Sequence, residues 1–162
     1  MRHFLALLSL SAGLAAPAAA QRARHYQVQS PDGATVLSVD VGGRVTYSVT
    51  HRGRPVLDVS PISLTLAGGR MLGGTDQVRS NATRSVRDSA RPVAPTKRAV
   101  VPDHFNELRL SFDGYSLELR AYDEGIAYRW LLDMPDSVTV MSEEASFAVA
   151  GEAEGRLGID TT

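Results

Sequence analysis

The side chains best suited to chemistry in this 162-residue chain are its carboxylates. Two carboxylates suffice for glycoside hydrolysis, because one protonates the leaving oxygen and the other attacks the sugar or activates water. Four pairs lie close together in the sequence: Asp123 with Glu124, Asp133 with Asp136, Glu143 with Glu144, and Glu152 with Glu154. Neighbours in a strand point to opposite faces and acidic residues favour turns, so the first two pairs are predicted to be turn residues.

The last two pairs offer oxygen atoms of the kind that calcium binds. The sequence places no third ligand beside them, so we assign them no metal site. The chain contains no cysteine, which excludes a disulfide, a thiolate nucleophile and a cysteine-bound metal. We therefore predict no catalytic residue, no metal ligand and no cofactor in this chain.

Histidine adds little further chemistry. His25, His51 and His104 are predicted at strand ends or in connections, and no two of them have metal-ligand spacing on one face. The sequence also has no glycine-rich phosphate loop and no G-x-S-x-G nucleophile elbow. We expect these histidines to be ordinary surface residues.

One aromatic residue differs from the others in its position along a strand. Tyr122 falls on the polar phase together with Glu118 and Arg120, which predicts an exposed aromatic side chain. Four other aromatic residues fall on apolar phases and are predicted to lie in the core: Tyr47, Tyr115, Tyr128 and Trp130. Tyr122 and Arg120 are therefore our candidates for a binding or domain-contact surface.

Length and composition describe a chain with one globular core. Hydrophobic residues make up 43% of the chain and charged residues 22%, and the net charge is −1. Such a nearly neutral chain has no overall field to hold a nucleic acid or an anionic membrane. We expect neither as a partner.

Residues 78–103 depart from this composition. The segment has three prolines, no aromatic residue and six basic side chains, which are Arg79, Arg84, Arg87, Arg91, Lys97 and Arg98. A loop that grips a phosphate or an acidic partner is one interpretation. We favour a solvated edge strand followed by a proline-stiffened connection, because the segment offers no aromatic platform for stacking.

Residues 1–20 have the pattern of a secretory signal peptide. Arg2 and His3 form a short basic start, an apolar stretch covers residues 4–14, and three alanines precede Gln21. The apolar stretch is shorter than the roughly 20 residues that a spanning helix needs, which disfavours a membrane anchor. We predict cleavage after Ala20 and export of residues 21–162 to the periplasm or the medium.

Apolar and polar residues alternate along most of the remaining chain. Gly42 and Gly43 separate two such runs and predict a hairpin turn with positive φ. The apolar phases lie in residues 37–41, 45–49, 62–66, 108–112, 115–121 and 126–132, with weaker runs at 138–140 and 147–149. No stretch has a sustained helical period. These patterns predict an all-β fold, specifically an antiparallel β-sandwich.

Several segments resemble, in the same order, the N-terminal domain of glycoside hydrolase family 97. They are residues 30–33, 45–49, 52–57, 60–64, 105–108 and 119–129. The last of these, Leu-Arg-Ala-Tyr-Asp-Glu-Gly-Ile-Ala-Tyr-Arg, resembles that domain's Arg-Ala-Tyr-acidic-Gly-aliphatic-Ala-aromatic-Arg segment. Together the segments cover roughly residues 28–147.

The resemblance implies a β-supersandwich like that of galactose mutarotase. It also implies a secreted or periplasmic α-glucosidase or α-galactosidase, in which a downstream (β/α)8 barrel carries the catalytic carboxylates and most ligands of a calcium ion. A (β/α)8 barrel needs roughly 250 residues, which this chain of 162 residues does not supply. The domain at 21–162 is therefore expected to be truncated before the barrel and to be incomplete at its C-terminal end. No catalytic or metal residue carries over.

The function expected from the resemblance is therefore architectural. The sandwich would pack on the barrel and help to wall the site of an α-glucoside or α-galactoside, with Tyr122 and Arg120 as contact residues. A standalone carbohydrate-binding module is the main alternative. A small mutarotase-like epimerase is a third, although the chain is poor in histidine.

Overall fold

The computed structural model describes residues 23–90 and 101–151, which form two antiparallel β-sheets packed face to face. There are ten strands: β1 (Arg24–Gln29), β2 (Thr35–Val41), β3 (Val45–His51), β4 (Arg54–Leu66), β5 (Met71–Leu72), β6 (Ser80–Ala90), β7 (Val101–Ser111), β8 (Tyr115–Tyr122), β9 (Gly125–Leu132) and β10 (Val140–Ala145). The six-stranded sheet has the order β1-β2-β3-β4-β10, with β5 beside β4. The four-stranded sheet has the order β6-β7-β8-β9. The predicted all-β sandwich is confirmed.

Strict alternation of side chains places the core between the two sheets. Leu37, Val39 and Val41 of β2 are buried, as are Leu117 and Leu119 of β8. They belong to a single apolar cluster drawn from both sheets. Of the four aromatic residues predicted in the core, Tyr47 and Tyr115 are buried in it, whereas Tyr128 and Trp130 are half-buried at its margin.

The hairpin turns differ from the prediction in one instructive way. Gly42 and Gly43 do form the β2–β3 turn, but neither has positive φ, and Val41 pairs with Val45 across a three-residue loop. The extra residue removes the need for a primed two-residue turn. That turn type occurs instead between β3 and β4, where Arg52 has a φ of 51° and Gly53 a φ of 75°.

Strand boundaries also differ at the C-terminal side of the described chain. The sequence predicted strands at 138–140 and 147–149, but β10 covers Val140–Ala145 and Val149 forms only an isolated bridge with Leu57. Backbone pairing with β4 decides this placement, because β10 is mostly exposed and has no apolar alternation of its own. The strands β1 and β5 had not been predicted.

The basic segment is an edge strand over part of its length. β6 pairs only with β7 in the four-stranded sheet, and nearly all of its side chains are exposed. This confirms the predicted solvated edge strand for residues 80–90. The predicted connection with Arg91, Lys97 and Arg98 lies outside the described residues, as does the predicted signal peptide at 1–20. In the described ranges there is no helix, and hence none able to cross a membrane.

Large apolar side chains are exposed along one margin of the sandwich. We call this the apolar margin, and its members are Val56, Val59, Met141, Phe147 and Val149. Val59 is 65% exposed, Met141 66% and Phe147 59%. The margin adjoins the core through Tyr47, whose ring lies 6.4 Å from Phe147 and 6.3 Å from Tyr128 of β9. These exposed side chains thus lie on β4, on β10 and on the segment that follows β10.

Gly73 marks the tightest packing between the two sheets. Its carbonyl accepts a hydrogen bond from the Val45 N–H at 2.7 Å, and its N–H donates to the Tyr115 hydroxyl at 3.1 Å. Its φ is 78°, and a Cβ here would lie 2.8 Å from Cη2 of Trp130 and 2.9 Å from the carbonyl oxygen of Ile62. Only glycine fits this position without displacing backbone or a ring.

We predict that Gly73→Ala lowers the free energy of unfolding by about 2–5 kcal/mol, because left-handed strain adds to overpacking. Gly33→Ala is the matched control, since its φ is 74° but a Cβ there would have no neighbour within 4 Å. The control should lose only about 1–2 kcal/mol. Urea denaturation measures both variants, and equal losses would mean that the crowding at Gly73 contributes nothing.

Candidate functional site

The outer face of the four-stranded sheet carries alternating charges in register. Arg109 of β7, Glu118 of β8 and Arg129 of β9 lie side by side in one row. The next row contains Arg84 of β6, Glu107 of β7, Arg120 of β8 and Ala127 of β9. We call this surface the charged face; its six members are Arg84, Glu107, Arg109, Glu118, Arg120 and Arg129.

Glu118 lies under the arginines of its own row. Arg129 Nε donates to its Oε2 at 2.5 Å, and Arg109 Nη2 donates to its Oε1. Arg120 Nη2 approaches Oε2 to 4.0 Å from the neighbouring row. Although Glu118 points away from the core, its side chain is 0% exposed, because these long side chains cover it.

Glu107 is held in the same manner. Arg84 donates through Nε to Oε1 at 2.6 Å and through Nη2 to Oε2 at 2.9 Å, a bidentate pair. Arg120 Nε donates to Oε2 at 2.9 Å. The Glu107 side chain is only 2% exposed, whereas Arg84 remains about half exposed. Arg120 therefore links the two carboxylates.

The candidate residues Tyr122 and Arg120 meet on Phe105 at one end of the charged face. The Arg120 guanidinium carbon lies 4.2 Å from the centroid of the Phe105 ring, at cation–π distance. The centroid of the Tyr122 ring lies 5.2 Å from that of the Phe105 ring. Tyr122 was predicted to be exposed, but it is half-buried because Phe105 gives it an apolar surface on the outer face.

The ion pairs keep both carboxylates charged. Hydrogen bonds from Arg84 and Arg120 outweigh burial and lower the pKa of Glu107. Burial opposes ionisation of Glu118, but the hydrogen bonds from Arg129 and Arg109 outweigh it, so its pKa is also lowered. A general acid for glycoside hydrolysis needs a raised pKa, so neither carboxylate suits that role. The six side chains leave an excess of two positive charges facing outward.

The predicted acidic pairs lie elsewhere. Asp123 and Glu124 form the β8–β9 turn, and Asp133 and Asp136 lie in the connection after β9, as predicted for turn residues. Glu152 and Glu154 lie outside the described residues.

Glu143 and Glu144 of β10 point in opposite directions. Glu143 accepts a hydrogen bond from the Tyr128 hydroxyl at 3.2 Å, whereas Glu144 accepts from Arg44 and from Ser63. Neither residue has the other as a partner for acid–base chemistry.

The histidines are dispersed rather than gathered in one site. His25 of β1 contacts Asp40 at 2.9 Å, and His51 ends β3 with Nδ1 3.0 Å from the Thr35 hydroxyl. His104 lies inside β7 rather than at a strand end or in a connection. Across residues 23–90 and 101–151 no group of three or more histidine, aspartate or glutamate side chains is arranged to hold a metal ion.

The alternation along the sequence places Glu107, Arg109 and Glu118 on the polar phases of β7 and β8 but does not by itself pair them. The signal was available in the β7–β8 hairpin, because a turn at 113–114 places Arg109 opposite Glu118. The pairing of Glu107 with Arg84 and of Glu118 with Arg129 depends on the registers of β6 and β9, which the sequence pattern does not give. Directly opposed unlike charges stabilise an antiparallel pair.

We predict that Glu118→Gln lowers the free energy of unfolding at pH 7 by about 1.5–3 kcal/mol, the range for hydrogen bonds to charged groups. The folded-state pKa of Glu118 is lowered, so its contribution is present above the ordinary glutamate pKa of about 4.3 and is lost as the pH falls below it. The difference between wild type and variant should therefore shrink in acid. Exposed Glu124→Gln is the control, with a change within about 0.5 kcal/mol. An equal loss for Glu118→Gln at acidic and neutral pH would assign the effect to packing instead.

Comparison with known proteins identifies the family. Residues 28–155 match the family described as Glycosyl-hydrolase 97 N-terminal. The chain is 32% identical over 128 residues to a retaining alpha-galactosidase of Bacteroides thetaiotaomicron, covering 78% of this chain and 19% of the relative. It is 28% identical over 163 residues to a probable retaining alpha-galactosidase of Streptomyces bingchenggensis, covering 94% and 25%. The chain thus spans a quarter or less of these relatives.

Solved structures agree in fold. A glycoside hydrolase family 97 enzyme from Pseudoalteromonas sp. strain K8, in complex with acarbose, superposes with a TM-score of 0.66 at 20% identity, over 77% of this chain and 20% of that one. A beta-arabinopyranosidase superposes with a TM-score of 0.68 at 23% identity, over 76% and 21%. The architecture is therefore shared, and with the family match over residues 28–155 it follows that this chain belongs to the glycosyl-hydrolase 97 N-terminal family.

Proposed function

We propose that this chain is the non-catalytic N-terminal β-sandwich domain of an exported α-glycosidase, whose hydrolytic barrel lies downstream in the same polypeptide. Membership of the N-terminal family and the small share of each relative that the chain covers support this proposal. The two relatives are named as α-galactosidases, so an α-galactoside is the favoured substrate of the parent enzyme. The role of this domain is to pack on the barrel and help to wall the sugar site.

The apolar margin is the observation that carries this proposal. Isolated exposed hydrophobic residues are normal on a protein surface, but grouped ones mark contact surfaces. Val149 pairs with Leu57 of β4 in an isolated bridge, and the Ala150 N–H donates to the Val56 carbonyl at 3.1 Å, so these exposed residues lie on adjacent segments. Phe147 stacks edge-on against Tyr47 of the core. A further domain covering this margin would extend the core rather than cover a separate patch.

Arg120 and Tyr122 provide a second, polar contact in the proposal. Both are partly accessible, and Phe105 and Glu107 hold them in place. A guanidinium group held in this way loses little conformational freedom when it binds a carboxylate or carbonyl of a neighbouring domain. Anchoring of this kind suits a fixed interface between two domains of one enzyme.

Catalysis and calcium binding belong, in this proposal, to the downstream barrel. Glu107 and Glu118 are committed to ion pairs with arginine, and within residues 23–90 and 101–151 no three histidine or carboxylate side chains are grouped to hold a metal ion. Calcium ligands would accordingly come mainly from the barrel. Export follows from the signal-peptide pattern of residues 1–20, with cleavage after Ala20.

The size of the native product tests the proposal. Antibodies against residues 21–162 should detect, in the periplasm or medium of cells that carry the gene, a protein several times larger than this chain. That product should hydrolyse nitrophenyl α-galactoside or α-glucoside, whereas the purified 162-residue chain should not. A native product of the size of this chain, or turnover by the chain alone, would contradict the proposal. Hydrogen exchange should be slower in the larger product at β10 and at Tyr122 than in the chain alone.

We also predict that the chain alone self-associates through the apolar margin. The double variant Val59→Lys and Phe147→Lys should bind less of a hydrophobic dye and remain monomeric at concentrations where wild type associates. Arg79→Lys is the control and should behave as wild type, because Arg79 is exposed and does not belong to the apolar margin. Sedimentation velocity measures the association. Unchanged association in the double variant would remove the apolar margin as a contact surface.

A further inference from the structure

Three turns meet at one end of the sandwich and enclose a cleft of about 550 Å³. They are the β1–β2 turn with Asp32, the β3–β4 turn with Arg52, and the β8–β9 turn with Asp123 and Glu124. This volume falls within the range of about 300–1,000 Å³ that is usual for small-molecule sites. The cleft is separate from the charged face and shares no residue with it.

The polar wall of the cleft is ordered by hydrogen bonds between the turns. Asp32 accepts from the Ser30 hydroxyl at 2.5 Å and from the Ala34 N–H at 2.9 Å, and both bonds lower its pKa. The Asp32 N–H donates to Asp123 Oδ1 at 3.0 Å, which ties the β1–β2 turn to the β8–β9 turn. Two carboxylate groups from different sheets are thereby fixed beside each other.

The opposite wall comes from the β3–β4 hairpin. His51 Nδ1 lies 3.0 Å from the Thr35 hydroxyl, which orients the imidazole ring and leaves Nε2 for another partner. The Arg52 N–H donates to the Ala34 carbonyl at 2.7 Å, and this bond holds Arg52 in its left-handed conformation. Glycine or asparagine would adopt that conformation more easily, so an arginine here carries a backbone cost.

The floor of the cleft is apolar. Val49 is buried, and Leu57 and Ile126 are half-buried where they pack against the core. An apolar floor with polar groups on its rim suits a ligand that has a hydrocarbon face and a polar edge.

The mixture of charges on the rim selects the class of ligand. The three carboxylates Asp32, Asp123 and Glu124 would repel an anion, and a cation such as an ammonium has no acceptor for the N–H groups of Arg52. A hydroxyl group both donates and accepts, so it can use carboxylate oxygens and guanidinium N–H groups together. We propose that this cleft binds a neutral carbohydrate through its ring hydroxyls, with the C–H face of the sugar on Val49, Leu57 and Ile126. The proposal does not rest on the function proposed for the domain, although Val56 of the apolar margin also lines the cleft.

Three sugars with the same ring but different charge test the proposal on the full chain. Galactose, galacturonate and galactosamine should be titrated while the amide resonances of Ala34, Asp123 and Gly125 are followed by NMR. We expect saturable shifts with galactose in the millimolar range, about −4 kcal/mol. Galacturonate should bind at least about tenfold more weakly, because like charges meet. Absence of shifts at these amides with galactose would overturn the proposal, as would at least tenfold tighter binding of galactosamine, which would indicate a cation site.

Arg52→Gly gives a variant test that does not depend on a loss of folding. Glycine accepts the φ of 51°, so the variant should fold with an unfolding midpoint close to that of wild type. Its affinity for galactose should fall about tenfold, as expected for the loss of a charged hydrogen-bond donor. Arg79→Gly removes an exposed arginine near the opposite end of β8, where Arg79 pairs with Asp113, and should bind as wild type. Wild-type affinity in a folded Arg52→Gly would overturn the proposed role of the guanidinium and the proposal with it.

Discussion

Burial of one apolar face from each sheet in a shared core is the constraint on which the rest of this structure depends. Leu37 and Val39 on one sheet and Leu117 and Leu119 on the other are almost completely removed from water. Because side chains alternate along a strand, slipping any pairing by one residue would turn a whole apolar set outward. In β8 such a slip would direct Glu118 into the core. The core therefore sets the register, and the register sets every other surface of the molecule.

The charged face is one consequence of that register. Two glutamates point outward and yet are buried, because four arginines from four strands lie over them. Leaving either carboxylate unpaired at this depth would be costly, whereas the exposed ends of the arginines remain hydrated. The face thus ties β6, β7, β8 and β9 together on the side away from the core. It also leaves Glu107 and Glu118 with lowered pKa values, which do not suit a general acid.

Three surfaces with different chemistry result from the same sandwich. The charged face lies on the outer side of the four-stranded sheet, the apolar margin on β4, β10 and the segment that follows β10, and the cleft where the turns at Asp32, Arg52 and Asp123 meet. The charged face shares no residue with the other two surfaces, whereas Val56 belongs to both the apolar margin and the cleft. We propose that the apolar margin contacts a neighbouring domain and that the cleft binds a small ligand.

Sequence alone determined the all-β class, most of the strands and the core residues, because period-two alternation and turn residues are local signals. It also indicated the family, through short segments in a fixed order, and it marked Tyr122 as an aromatic residue on a polar phase, together with Arg120. It did not determine that Phe105 covers one side of Tyr122, that β10 pairs with β4, or that Arg52 rather than a glycine begins the primed turn. Each of these depends on which distant strand lies alongside. Only the tertiary structure decided that Glu107 and Glu118 are buried, because their cover comes from arginines on neighbouring strands and not from their own sequence neighbours.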